Sequence, residues 1–145
     1  MEYGRLGKDM AADAAELEAL CLYTGWSSAQ IAEATEREDT LYLAATEGGV
    51  LCAVASTVFS LYEGMVENVA VHPNHRRRGI AERLMAYIEA EAVRRGVERL
   101  CLEVASRNSG AIALYEKAGY KAAGLRKGFY ARQRDDAVVM VKELV

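Results

Sequence analysis

Val69-Ala70-Val71-His72-Pro73-Asn74-His75-Arg76-Arg77-Arg78-Gly79-Ile80-Ala81 decides how this 145-residue chain is read. Apolar residues close a strand, and Pro73, the one proline present, stiffens the way out of it. A basic turn follows. From Gly79 the rhythm becomes helical: Ile80, Leu84, Tyr87, Ile88 and Ala92 recur at helical spacing up to Arg95, and Gly96 stands where a C-terminal cap belongs. Such a helix start offers unsatisfied amides and the positive end of its dipole to an anion. Gly79 and the small Ala81, with Ile80 and Glu82 in the same first turn, let backbone approach a bulky phosphate. Arg76, Arg77 and Arg78 add charge-assisted hydrogen bonds. The segment predicts a strand–turn–helix phosphate site. It has neither the Gly-Lys-Ser/Thr of a nucleoside-triphosphate loop nor the three spaced glycines of a dinucleotide fold.

Downstream, Leu100, Leu102 and Val104 alternate with Cys101, Glu103 and Ala105, which predicts a strand. Asn108 caps a short helix that ends at Ala118-Gly119, and strands near Tyr120 to Tyr130 and Ala137 to Leu144 follow. Upstream, Asp9 is expected to cap a helix to about Tyr23, with Met10, Ala14, Leu17, Leu20 and Cys21 on its apolar stripe. Ser27 with Gln30 forms a capping box for a second helix to about Glu38. Strands at Thr40 to Thr46 and Val50 to Ser60 are joined by Glu47-Gly48-Gly49. A turn at Glu63-Gly64 leads into a strand from Met65 to His72. The order predicts an α/β fold (α+β in some schemes) spanning residues 1–145 as one domain. Its sheet is mixed and mostly antiparallel, flanked by helices, with one right-handed crossover through the central helix.

Bulk composition narrows the function. Hydrophobic residues at 52% and charged residues at 27% are ordinary globular usage, so a packed core is expected rather than disorder. No apolar run reaches the ~20 residues of a membrane span, and the N-terminus lacks the apolar stretch of a signal peptide. Cys21, Cys52 and Cys101 are odd in number and far apart, so neither a disulfide framework nor a zinc site is expected. His72 and His75 read as a solvated turn, and no metal is assigned. A net charge of −3 argues against nucleic-acid binding, although Tyr120 to Arg134 holds five cations and no acid. The expectation is a reduced, cytoplasmic domain without membrane contact.

With those residues in place, a resemblance follows. Arg76-x-x-Gly79-x-Ala81 after Val-His-Pro resembles the pyrophosphate-binding signature of the GNAT acetyltransferases. Asn108-x-x-Ala111-x-x-Leu114-Tyr115-x-x-x-Gly119-Tyr120 is similar to another pattern of that superfamily. The stretch from about Asn68 to Met140 is most similar to the RimI-type ribosomal-protein-alanine N-acetyltransferases. Gly25-Trp26-Ser27 stands where that group has Pro-Trp-Ser, and Arg126-Lys127-Gly128-Phe129-Tyr130 where it favours Asn-Tyr-Tyr at the end. These departures lie on the acceptor side. The resemblance implies acetyl-CoA as co-substrate and the N-terminal amine of a protein, ribosomal for example, as acceptor.

Acetyl transfer needs a neutral amine. An α-amino group of pKa ~8 is about one-tenth free at pH 7, whereas a lysine must lose ~3.4 units, about 4.6 kcal/mol. A base takes the proton, an acid serves the leaving thiolate, and a donor serves the oxyanion. Glu103, opposite the apolar face of its strand, is the candidate base; the resemblance puts the proton acceptor at the same position. Tyr115 is the candidate acid, since a neutral phenol can protonate a departing sulfur. Asn108 caps its helix and, by resemblance, contacts the CoA arm. Val69, Ala70 and Val71 would offer backbone groups to the pantetheine and acetyl carbonyl if their strand splays from its neighbour. Trp26, Phe129 and Tyr130 are candidates for lining the acceptor groove. No nucleophile is evident, so direct transfer in a ternary complex is expected, with Cys101 as the nearest thiol. Two other readings stay open. One keeps the cofactor and takes a small amine as acceptor, such as a polyamine, amino acid or drug. The other is a CoA-binding module without chemistry. Oligomeric state is not legible.

Overall fold

The computed structural model describes residues 1–145. Seven strands form one sheet: β1 (Glu2–Arg5), β2 (Thr40–Glu47), β3 (Val50–Phe59), β4 (Glu63–Val71), β5 (Arg99–Ala105), β6 (Lys121–Tyr130) and β7 (Asp135–Glu143). Their spatial order is β1-β2-β3-β4-β5-β7-β6. Every neighbouring pair is antiparallel except β4 and β5, which run parallel. The helix α3 (Ile80–Arg94) connects that pair, as the central crossover requires. The hairpin between β2 and β3 closes through Gly48-Gly49 at the expected turn.

Helices cover both faces of the sheet. On one side α1 (Ala11–Cys21) and α2 (Ser28–Thr35) bury Ala14, Leu17 and Ile31 against Tyr42, Ala44 and Val54. On the other, α3 and α4 (Ser109–Lys117) bury Leu84, Ile88 and Tyr115 against Leu41, Leu43, Ala53 and Leu102. Period-2 alternation sends successive β2 and β3 side chains to opposite cores, so these strands read as continuous apolar runs. The Ser27–Gln30 capping box forms as expected. No helix is long and apolar enough to cross a membrane.

Several local expectations are corrected. β1 has no signature in the sequence, because Glu2-Tyr3-Gly4-Arg5 has no apolar alternation; it is an edge strand held by backbone pairing with β2. Asp9 does not cap α1, which follows a 3-10 turn at Lys8–Met10 and has no side-chain cap. Leu20 is 61% exposed while Glu18, one residue after Leu17 and one turn after Ala14, is fully buried. Tyr87 is 46% exposed, where it stacks on Tyr3 of β1. α2 ends at Thr35, short of Glu38, and β7 begins two residues early at Asp135.

Glu63-Gly64 is not a turn but the start of β4, and its glycine fixes how closely two strands approach. A Cβ on Gly64 would lie 2.7 Å from Leu100 Cδ2 and 3.0 Å from the Phe59 ring. Gly64→Ala is therefore expected to destabilise the fold by about 1–3 kcal/mol, the usual cost of overpacking. Urea denaturation measures this, and an unchanged midpoint contradicts it.

Candidate active site

β4 and β5 pair only from Glu63–Arg99 to Val66–Leu102. Beyond those residues the strands part, each still held by its outer neighbour: β4 by β3 up to Val71, β5 by β7 up to Ala105. The backbone of Val69 and Ala70 is thereby left without a β5 partner, while the Val71 carbonyl accepts from Arg76 Nε and the Cys21 thiol. Two clefts meet in this gap, one of about 370 Å³ and one of about 530 Å³. Val69, Asn108, Ala111 and Tyr115 line both, with Cys21 and Leu22 from the end of α1. Open α/β sheets place ligands outside such strand ends.

The larger cleft carries the basic turn. It is lined by Val69, Ala70, Val71, Arg76 and Arg77, and by the first turn of α3 from Gly79 through Ile80, Ala81 and Glu82. Gly79 caps α3 with φ 75, a left-handed backbone that glycine adopts without strain; a Cβ there would meet nothing within 4 Å. Its requirement is conformational rather than steric. Arg76 is braced by a bond from its Nε to the Val71 carbonyl at 3.2 Å. Arg78 departs from expectation. Its guanidinium reaches Glu47 at 2.9 Å and His75 Nδ1 at 2.9 Å, and its side chain does not line the cleft. Glu47, Cys52 and His75 bring one donor atom each within 4.8 Å of one another, and Arg78 supplies the positive charge there. His72 instead caps the turn after β4, accepting from the Asn74 amide.

The smaller cleft carries the titratable groups. Glu103 enters it from β5, with its side chain 22% exposed and 2.6 Å from Arg126 Nη1. Tyr115 faces both clefts from α4, and burial pushes its phenol well above the ordinary range, so it stays protonated. Asn108 caps α4 by accepting from the Ala111 amide at 3.1 Å. Tyr130 lines the cleft; Phe129 does not, but stands 42% exposed with Arg126 stacked 4.4 Å over its ring. Trp26 is also absent from the lining. Its ring packs 6.2 Å from Tyr42 on the core side, and its backbone N–H donates to Glu18. Tyr23 and Thr24, just before it, line the groove instead.

Four further residues shape this side without having been singled out in the sequence. Glu67 lines the cleft from β4. Arg126 holds Glu103. The buried Asp135 accepts from Ser106 Oγ at 2.5 Å and Tyr23 at 3.1 Å, which hold its carboxyl down at about 2. It thus ties together the loops before α4 and after α1, at the start of β7. Glu18, sealed from solvent, accepts from Trp26 and Tyr42 and anchors the segment after α1. Cys101 turns from the cleft toward Glu63, and burial raises its thiol. The thiol that does line both clefts is Cys21, which donates to the Val71 carbonyl.

The sequence pattern of the acetyltransferase (GNAT) family matches residues 11–120. The [ribosomal protein bS18]-alanine N-acetyltransferase of Escherichia coli (strain K12) is 36% identical over 117 residues, covering 79% of this chain and 78% of that one. The N-alpha-acetyltransferase RimI of Mycobacterium tuberculosis is 32% identical over 148 residues, 97% of this chain and 90% of its own. The crystal structure of the ribosomal-protein-S18-alanine N-acetyltransferase from Escherichia coli superposes with a TM-score of 0.88 at 31% identity, covering 99% of this chain and 93% of that one.

Proposed function

The chain belongs to the GNAT family of acetyltransferases, and from that premise we propose that it moves the acetyl group of acetyl-CoA to the N-terminal α-amine of a protein. A ribosomal protein beginning with alanine is the acceptor suggested by its relatives' names. The observation that carries this reading is the junction of two clefts where β4 and β5 part. One cleft suits a polyphosphate, the other holds a carboxylate, and Tyr115 faces both.

The residues present fit acetyl-CoA. First-turn amides of α3 with Arg76 and Arg77 would hold its phosphates. The open backbone of Val69 and Ala70 would pair with the pantetheine amides and the thioester carbonyl, and Asn108 and Ala111 would flank the arm. When bound, the thioester supplies the activated acyl group. Glu103, directly or through one water, takes the proton that the attacking amine must lose. Tyr115 donates its phenolic proton toward the departing sulfur. Direct transfer suits where the thiols lie: Cys101 is turned out of both clefts toward Glu63, and the one thiol lining them, Cys21, contacts the Val71 carbonyl and Arg76 rather than a base. The proposed compartment is the cytoplasm, which suits three free cysteines.

Thiol release from acetyl-CoA against a panel of amines tests the acceptor class. Peptides starting with alanine, serine or methionine are expected to drive turnover, alanine foremost. Turnover with spermidine or an aminoglycoside, and with no peptide, would overturn the reading.

A further inference from the structure

We infer that Glu67 is an acceptor-positioning residue: its carboxylate receives the ammonium group of the incoming N-terminus and hands it to Glu103. The inference rests on the Nα-acetyltransferase reading and adds the group that recognises the acceptor.

Glu67 and Glu103 are the first residues beyond the last paired positions of β4 and β5, Val66 and Leu102. They therefore stand on the two arms of the same opening, and both line the 370 Å³ cleft. The β3–β4 ladder shifts register here: Ser56 pairs with Asn68 and Thr57 with Val66, leaving Glu67 as the extra residue of a β-bulge. Bulges next to active sites re-aim side chains. In this case the side chain re-aimed is an acid.

The charges around it are unevenly met. Glu103 has Arg126 at 2.6 Å. The other cleft cation, Arg107, is committed to Asp135 and to the carbonyls of Gln133 and Arg134. Glu67 makes neither a hydrogen bond nor an ion pair, and lost hydration together with the Glu103 charge raises its carboxyl above the ordinary value. Two carboxylates and one available guanidinium leave a negative charge in the mouth of the cleft. A peptide N-terminus reaches neutral solution mostly as an ammonium ion, and it supplies the missing cation. Because this contact is made to the ammonium and not to the attacking amine, it strengthens binding of the arriving acceptor without assisting the chemical step.

Glu67→Gln keeps the shape and removes the charge. The peptide KM is expected to rise about tenfold, the scale of one charge-assisted hydrogen bond. The kcat and the KM for acetyl-CoA should stay within about twofold. A des-amino copy of the peptide, used as a competitive inhibitor, isolates the ammonium: the advantage of the amine peptide over it should shrink in the variant by the same factor. An unchanged peptide KM, or equal weakening of both peptides, overturns the role of Glu67 alone. Absence of wild-type turnover with every peptide overturns the acetyltransferase reading beneath it as well.

Discussion

Glu103→Gln is expected to lower kcat by about 10²–10⁴-fold, the range for losing a general base, while the KM for acetyl-CoA changes by less than about twofold. The reason is positional. Glu103 lies in the smaller cleft only, whereas Arg76, Arg77 and the first turn of α3 line the larger one. Glutamine matches the size of glutamate and can still face Arg126, so the strand and its buried neighbours Leu102 and Val104 are undisturbed. Steady-state kinetics with a peptide acceptor measure both constants. A variant that keeps wild-type kcat would remove Glu103 from the chemistry.

Tyr115→Phe is expected to cost about 10²-fold or more in kcat, again the scale of a proton-transfer group, with no loss of fold. Only the oxygen is removed. The ring stays packed in the core, 6.0 Å from Tyr120 in an edge-on arrangement. The unfolding midpoint of the variant should match wild type while turnover collapses. A fall in stability that accounts for the lost turnover would make Tyr115 a core residue and nothing more.

The place of these two residues in the cleft was legible in the sequence because each sits in a local pattern. Alternation about Leu100 to Ala105 sets Glu103 apart from its apolar neighbours, and the Asn108 cap fixes the helix that carries Tyr115. The basic turn before α3 was legible for the same reason, since strand, proline, arginines and Gly79 are contiguous. What the sequence concealed depends on distant pairing. Arg78 adjoins Arg76 and Arg77 in the chain, yet its partner Glu47 comes from the β2–β3 hairpin. Trp26 and Phe129 are aromatics near loops, but one packs on Tyr42 and the other under Arg126. Glu67 has no local signal at all. Its place follows from a bulge against β3 and from the parting of β5, two contacts remote in the chain. Glu18 was hidden by polarity: a buried acid breaks the apolar stripe used to phase α1, and its partners Trp26 and Tyr42 only become visible in the fold.

The acceptor atom is the most direct test. A peptide with a free N-terminal alanine and one internal lysine, incubated with the protein and acetyl-CoA, can be sequenced by fragmentation mass spectrometry beside an N-terminally blocked copy. The acetyl group should appear on the α-nitrogen of the free peptide, and the blocked copy should remain unmodified. Acetylation confined to the lysine side chain, or equal labelling of the blocked copy, would contradict the account.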